Sequence, residues 1–233
     1  MKIILDCDEV IIENTMTAKA AYLALVDPSA DIPDYTYPSR WPVFGSDPDG
    51  RKKFEDFFQI YRNSEYYVKA PPMPGAIEGI RALKSQGHDL HVITAVGGQD
   101  DSGAQDRRRE YLESLVGKNV FTKITHVAMF ESKKDLMAKI GAEVLVDDGS
   151  ANITAALELG MRGIWFRFRA NKYIIDRVMS GDDGNRDSFW TYDAKLLREK
   201  AVVADGWEEV VRIINNWQIA GSKLSSPPSE GWP

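Results

Sequence analysis

Apolar and polar positions alternate along this chain in two rhythms. Residues 2–6, KIILD, form a compact apolar run that closes on a carboxylate, the pattern of a strand buried on both faces of a parallel sheet. Residues 74–87 instead place Ala76, Ile77, Ile80 and Leu83 on one helical stripe and stop at Gly87, which suits a left-handed helix end. The two rhythms then trade places. A strand is expected at 89–94, a helix at 104–116, a strand at 124–130, and a helix opened by Ser132-Lys133-Lys134-Asp135, a run close in shape to a capping box. A strand at 143–146 runs into Asp147, a helix at 150–160 starts with Ser150 as its cap, and a last strand covers 163–168. Strands separated by helices of about 10 to 15 residues predict βαβ units. The expected fold class is α/β, a doubly wound parallel sheet covered on both faces.

Proline and aromatic residues mark what lies outside that pattern. Eight of the 11 prolines fall between Pro28 and Pro74 and three between Pro227 and Pro233, so the stretch from 75 to 226 can hold regular elements without interruption. The first of these proline-rich stretches also holds Tyr35, Tyr37, Trp41, Phe44, Phe54, Phe57, Phe58, Tyr61, Tyr66 and Tyr67. It reads as an insertion with its own small core. The expected organisation is a core of residues 1–12 and 75–220, an insertion at 13–74 and a loose tail at 221–233. Residues 171–204 carry no clear assignment.

Composition narrows the class. With 43% hydrophobic and 27% charged residues the chain is too apolar for intrinsic disorder, and no apolar run reaches the roughly 18 residues a spanning helix needs. The N-terminal MKIILDCDEV has no signal-peptide pattern, and the expected location is cytoplasmic, as a monomer or homodimer with no membrane partner. A single cysteine, Cys7, permits no internal disulfide. The net charge of −6 argues against a nucleic-acid polymer as partner, because that binding rests on Lys and Arg neutralising phosphates.

Ligand crevices of open parallel sheets lie beyond the carboxyl ends of the strands. Asp6, Cys7, Asp8 and Glu9 follow the first predicted strand, Thr94 and Ala95 end the second, Lys133 opens a helix, and Asp147 and Asp148 follow a later strand. Carboxylates gathered at one edge raise one another's pKa or demand a cation, and a hard divalent ion such as Mg2+ resolves the repulsion. Asp6 and Asp8, two apart, can face one substrate if extended geometry persists, which turns Cys7 away as a buried hydrophobe. Such parts suit phosphoryl chemistry.

At these residues the chain resembles the haloacid dehalogenase superfamily. The run from Ile3 to Val10, with Asp6-Cys7-Asp8, is similar to its first motif; His91-Val92-Ile93-Thr94 resembles the second, Lys133 the third, and Val144-Leu145-Val146-Asp147-Asp148 the acidic fourth. An insertion between the first two motifs is similar to a C1-type cap. Pro72-Met73-Pro74-Gly75-Ala76, the double aspartate and Trp207-Glu208-Glu209 resemble the 5'(3')-deoxyribonucleotidase branch. The resemblance implies Asp6 as nucleophile and Mg2+ ligand, and Asp8 as general acid/base with its carbonyl on the metal. It implies Thr94, the N–H of Ala95 and Lys133 as phosphate holders, Asp147 as metal ligand and Asp148 behind it in the metal site. It implies a Mg2+-dependent phosphomonoester hydrolase acting on a nucleoside monophosphate. A phosphatase for a sugar phosphate or other small metabolite is the alternative, and a module that binds a phospho-ligand without turnover is the second. Glu9 departs from the glycine commonest there, and Lys134 rivals Lys133.

Each element also has a plainer reading. An aspartate pair at a strand end is often a loop with capping carboxylates, and Asp147 and Asp148 can simply cap the next helix. The Phe54, Phe57, Phe58 and Tyr61 stripe reads as the core of the insertion, which leaves the proline-broken loop to supply a stacking residue, with Trp41 chosen. Arg107, Arg108 and Arg109 read as an exposed helix face, and His88, His91 and His126 have no metal-ligand spacing.

Overall fold

In the computed structural model, which describes residues 1–45, 48–96, 102–128, 131–182 and 191–225, six parallel strands form one sheet. They are β1 (Lys2–Leu5), β2 (Asp89–Ala95), β3 (Lys123–Val127), β4 (Val144–Asp147), β5 (Arg162–Phe166) and β6 (Val202–Ala204), in the order β3-β2-β1-β4-β5-β6. All five pairings are parallel. The chain steps outward through β2 and β3 on one side of β1, then crosses to β4 on the other. That reversal puts the crevice at the carboxyl ends of β1 and β4.

Apolar side chains of the strands divide between two layers, as period-two geometry requires. Ile3, Leu5, Val92, Val144 and Val146 join one core with the helices α3 (Ala76–Ser85), α4 (Ser102–Val116) and α9 (Trp207–Ser225). Ile4, Ile93, Leu145 and Trp165 join the other with α5 (Lys134–Ile140), α6 (Ser150–Glu158), α7 (Lys172–Met179) and α8 (Ala194–Lys200). Between β1 and α3 lie α1 (Asn14–Leu25), α2 (Pro48–Asn63) and three short 3-10 turns at Pro38–Arg40, Pro42–Phe44 and Glu65–Val68. Tyr22, Trp41, Phe44, Phe57, Tyr61 and Tyr67 form a third, mainly aromatic core in this segment.

Several boundaries differ from the sequence expectation. β3 ends at Val127, and residues 129–130 lie outside the described residues. Residues 171–204 supply α7, α8 and the edge strand β6, with 183–190 outside the described residues. The last helix continues to Ser225, past the expected start of the tail, and 226–233 lie outside the described residues. Ser150 is not the cap of α6; Gly149 holds that position, and its N–H donates to Asp147 Oδ1 at 2.8 Å. The strand-end carboxylate of Asp147 thus holds the N-cap residue itself.

Candidate active site

β1 delivers Asp6 to the switch point. The Asp6 N–H continues the sheet by donating to the Val146 carbonyl at 2.9 Å, so the residue is fixed by backbone before its side chain makes any contact. Its Oδ1 accepts from the Cys7 N–H at 2.7 Å. The Cys7 side chain turns into the apolar core, where burial pushes its thiol up. The chain then curls, with Ile11 and Ile12 N–H groups both donating to the Cys7 carbonyl. Glu9 takes a left-handed φ of 62° within this curl. Its Oε1 accepts from the Thr15 hydroxyl at 2.6 Å and from the Thr15 N–H, so it closes the first turn of α1.

Three buried carboxylates meet one buried amine at the bottom of the crevice. Lys133 Nζ lies 2.8 Å from Asp6 Oδ1 and 2.9 Å from Asp147 Oδ2. Lys134 points elsewhere and pairs with Glu158 at the surface. Asp147 also accepts from the Asn152 amide at 3.0 and 3.1 Å, and Asp148 accepts from the Tyr37 hydroxyl at 2.5 Å. Burial, followed by the Asp147 charge, pushes Asp6 up to about 7 against the pull of Lys133. Asp148 is raised well above the ordinary carboxylate range by burial, then by Asp147 and Asp6. Burial works against the Lys133 charge, but Asp147 and Asp6 outweigh it and the ammonium is held more firmly than usual. One ammonium does not balance the group. Oxygens of Asp6, Asp147 and Asp148 lie within 4.8 Å of one another, an all-oxygen donor set whose surplus negative charge fits a hard divalent cation such as Mg2+.

Above this floor is a cavity of about 360 Å³, large enough for a small organic molecule. Asp6, Asp8, Ala95, Lys133 and Asp148 line it from the sheet edge. Tyr37, Arg40, Phe54 and Phe58 line it from the inserted segment, with the two phenylalanine rings 4.6 Å apart. The cavity thus combines charged groups from the sheet edge with aromatic rings and Arg40 from the inserted segment.

Three of the expected site residues do not line the cavity: Asp147, fully buried in the carboxylate cluster, and Trp41 and Thr94. Trp41 is 2% exposed, stacks on Phe44 at 5.8 Å and 12°, and donates from Nε1 to the Thr36 carbonyl at 2.8 Å. It is part of the insertion's core, because burying an indole there both fills volume and satisfies its N–H. Thr94 is fully buried beside the Cys7 thiol, and its hydroxyl has no hydrogen bond of ordinary geometry among the described residues. Strand alternation turns it behind the wall that Ala95 forms. The phenylalanine stripe divides as well. Phe57 is buried in the core of the insertion, whereas half-buried Phe54 and Phe58 face the cavity.

Sequence reasoning missed Asn152, weighed Tyr37 only as a stacking residue of the proline-broken loop, and read Arg108 as part of an exposed helix face. Arg108 is not an exposed helix residue: it is 1% exposed, with Nη2 3.6 Å from Asp8 Oδ1. A flanking pair of arginines hid it. Adjacent positions of a helix point about 100° apart, so the three arginines of α4 could not share one exposed face, and that was the available signal.

The all-parallel sheet of order β3-β2-β1-β4-β5-β6, covered by helices on both faces, defines a doubly wound, Rossmann-like α/β architecture. A haloacid dehalogenase-like family hydrolase from Streptococcus pneumoniae aligns over 91% of this chain and 97% of its own, with a TM-score of 0.58 at 16% identity. A predicted phosphatase from Clostridium acetobutylicum aligns over 92% and 98%, with a TM-score of 0.58 at 14% identity. A candidate beta-phosphoglucomutase from Thermotoga maritima aligns over 92% and 98%, with a TM-score of 0.57 at 17% identity. No protein-family model and no curated protein matches the sequence. At these identities the likeness establishes a haloacid dehalogenase-like fold. No helix among the described residues is long and apolar enough to cross a membrane.

Proposed function

We propose that this protein is a Mg2+-dependent phosphomonoester hydrolase that works through an aspartyl-phosphate on Asp6, with nucleoside monophosphates as its substrates. The observation that carries the reading is Lys133 held between Asp6 and Asp147 at the floor of a cavity that also presents Asp8. An ammonium in that place binds phosphoryl oxygens while leaving a carboxylate beside it to attack. Residues 13–74 act as a C1-type cap that closes over the floor and limits water.

In the first step an Asp6 carboxylate oxygen attacks phosphorus, the bond from phosphorus to the ester oxygen breaks, and the Asp8 carboxyl gives its proton to the departing oxygen. In the second, a water oxygen attacks the same phosphorus, Asp8 takes back a proton, and inorganic phosphate leaves with the Asp6 carboxylate restored. Lys133 and the Ala95 N–H hold phosphoryl oxygens through both steps. Asp6, Asp147, Asp148 and the Asp8 carbonyl would hold Mg2+, which when bound screens the phosphoryl charge from the carboxylates.

The nucleotide reading rests on Phe54 and Phe58, whose half-buried rings line the cavity and can offer a face to a base. Phosphate release should be measured across deoxy- and ribonucleoside monophosphates, sugar phosphates and an aryl phosphate, with Mg2+ and with EDTA. Nucleotides should be turned over fastest, and EDTA or Asp6→Asn should abolish release. Hydrolysis retained by Asp6→Asn would overturn the aspartyl-phosphate, and faster turnover of sugar phosphates would overturn the base contact.

A further inference from the structure

Three arginines in a row on α4 meet three different fates. Arg109 pairs with Asp106 at the surface, Arg107 donates to the Arg62 carbonyl and the Asn63 side chain, and Arg108 turns inward. Its guanidinium carbon sits 3.8 Å from the centroid of the Tyr67 ring, the hydroxyls of Tyr61 and Tyr67 are its neighbours, and Nη2 lies 3.6 Å from Asp8 Oδ1. Asp8 is the carboxylate within ion-pair distance of it among the described residues. Nε and Nη1 are buried and make no hydrogen bond among the described residues.

A buried charge with two N–H-bearing nitrogens unsatisfied is strongly unfavourable unless something compensates it. Packing alone does not call for it, since a methionine or leucine would fill the same space without that cost. The compensation is the Asp8 pair together with the Tyr67 face, against which a planar guanidinium is held in a way a lysine ammonium is not. Asp8 is divided by this contact. Its Oδ1 is buried and, at 3.6 Å from Arg108 Nη2, is in ion-pair contact without a hydrogen bond among the described residues, while the side chain as a whole keeps 32% exposure and lines the cavity.

We propose that Arg108 is a positioning residue for Asp8: it holds Oδ1, so that the other carboxyl oxygen is presented to the leaving-group oxygen of the substrate. This rests on the phosphomonoester hydrolase reading. Because Tyr61 lies on α2 and Tyr67 in the turn Glu65–Val68, both in the inserted segment, the same contact sets the aim of Asp8 by the seating of that segment on α4.

Positioning the proton donor has a signature that a structural ion pair lacks. An activated aryl leaving group departs with little help from an acid, whereas an alkyl oxygen needs its proton. kcat/KM should therefore be measured for a series of substituted phenyl phosphates and one alkyl phosphate with wild type, Arg108→Met, Arg108→Lys, Asp8→Asn and the double variant Asp8→Asn/Arg108→Met. Arg108→Met should lose about 100-fold on the alkyl ester and less than about 10-fold on the p-nitrophenyl ester. Arg108→Lys should recover part of the alkyl activity, and the double variant should be no worse than Asp8→Asn alone. Equal losses across all leaving groups, or no loss, would overturn the positioning role. If Arg108→Met does not fold, the leaving-group dependence of Arg108→Lys decides in the same way. A wild-type protein inactive on every ester would remove the hydrolase reading and the inference with it, whereas an active wild type with flat Arg108 variants removes the inference alone.

Discussion

Buried titratable groups at this sheet edge are tuned by which neighbour each one faces. Asp6 and Asp148 rise because burial and adjacent carboxylates disfavour their charge, while Lys133 holds its proton against burial because two of them surround it. His126 on β3 is the contrasting case. Burial first, then Arg109 and Arg108, lower it from its ordinary 6.5 to about 4, and its Nε2 is buried without a hydrogen bond among the described residues. Between those two values the unfolded chain binds a proton that the folded one does not, so folding stability falls as pH drops from about 6.5 to about 4. His126→Asn should lose less stability over that window than wild type, measured as urea midpoints at pH 6.5 and 4.5. A parallel decline in both proteins would assign the acid sensitivity to other groups. Residue order does not single out His126; burial, and after it the arginines that α4 brings against the ring, lower it.

Elements hold the site through a few close approaches. Trp207 at the start of α9 is 1% exposed, donates from Nε1 to the Val10 carbonyl at 2.7 Å, and so ties the last helix to the loop that carries Asp6 and Asp8. The indole reaches that loop by lying over Gly79 of α3, where an added Cβ would come within 2.6 Å of Trp207 Cε3. Gly79→Ala should therefore destabilise the protein by about 1–3 kcal/mol through overpacking, although alanine is the better helix former by about 1 kcal/mol. Urea unfolding checks this, and a stabilised variant would show that α3 and α9 have room to separate. The α3 stripe and the strand runs were legible because each is a full period of burial against a layer. β6 was not, because three residues at a sheet edge carry too little alternation to stand out from the helices beside them.

For the molecule as a whole, a negative charge of −6 takes on a location. Asp6, Asp147 and Asp148 concentrate part of it in a buried cluster that a cation would relieve. Mg2+ that binds the folded state alone stabilises it by about 2.7 kcal/mol at a concentration 100 times its dissociation constant. Thermal unfolding should accordingly shift upward with Mg2+ and return with EDTA, and Asp148→Asn should shrink the shift. An unchanged melting temperature would argue against a metal at these carboxylates. The insertion belongs to the same scale. Tyr37 reaches Asp148, and Arg169 reaches the Tyr35 hydroxyl and ring, so the segment between β1 and α3 is seated on the sheet edge by polar contacts around the cavity.

The sequence by itself determined the α/β class, the alternation of strands and helices, and the placement of Asp6, Asp8, Ala95, Lys133, Asp147 and Asp148 at strand ends or helix starts. These are local properties, since a strand end and the carboxylate after it are adjacent in the chain. Tertiary structure decided which side chains face inward from the insertion and from α4. Trp41 went to a core and Phe54 and Phe58 to the cavity, Thr94 fell behind its wall, and Arg108 came to rest against Asp8. Helical and aromatic periodicity specifies that a face is buried. What it is buried against depends on where a segment far away in sequence docks, and that is settled only when the three cores form together.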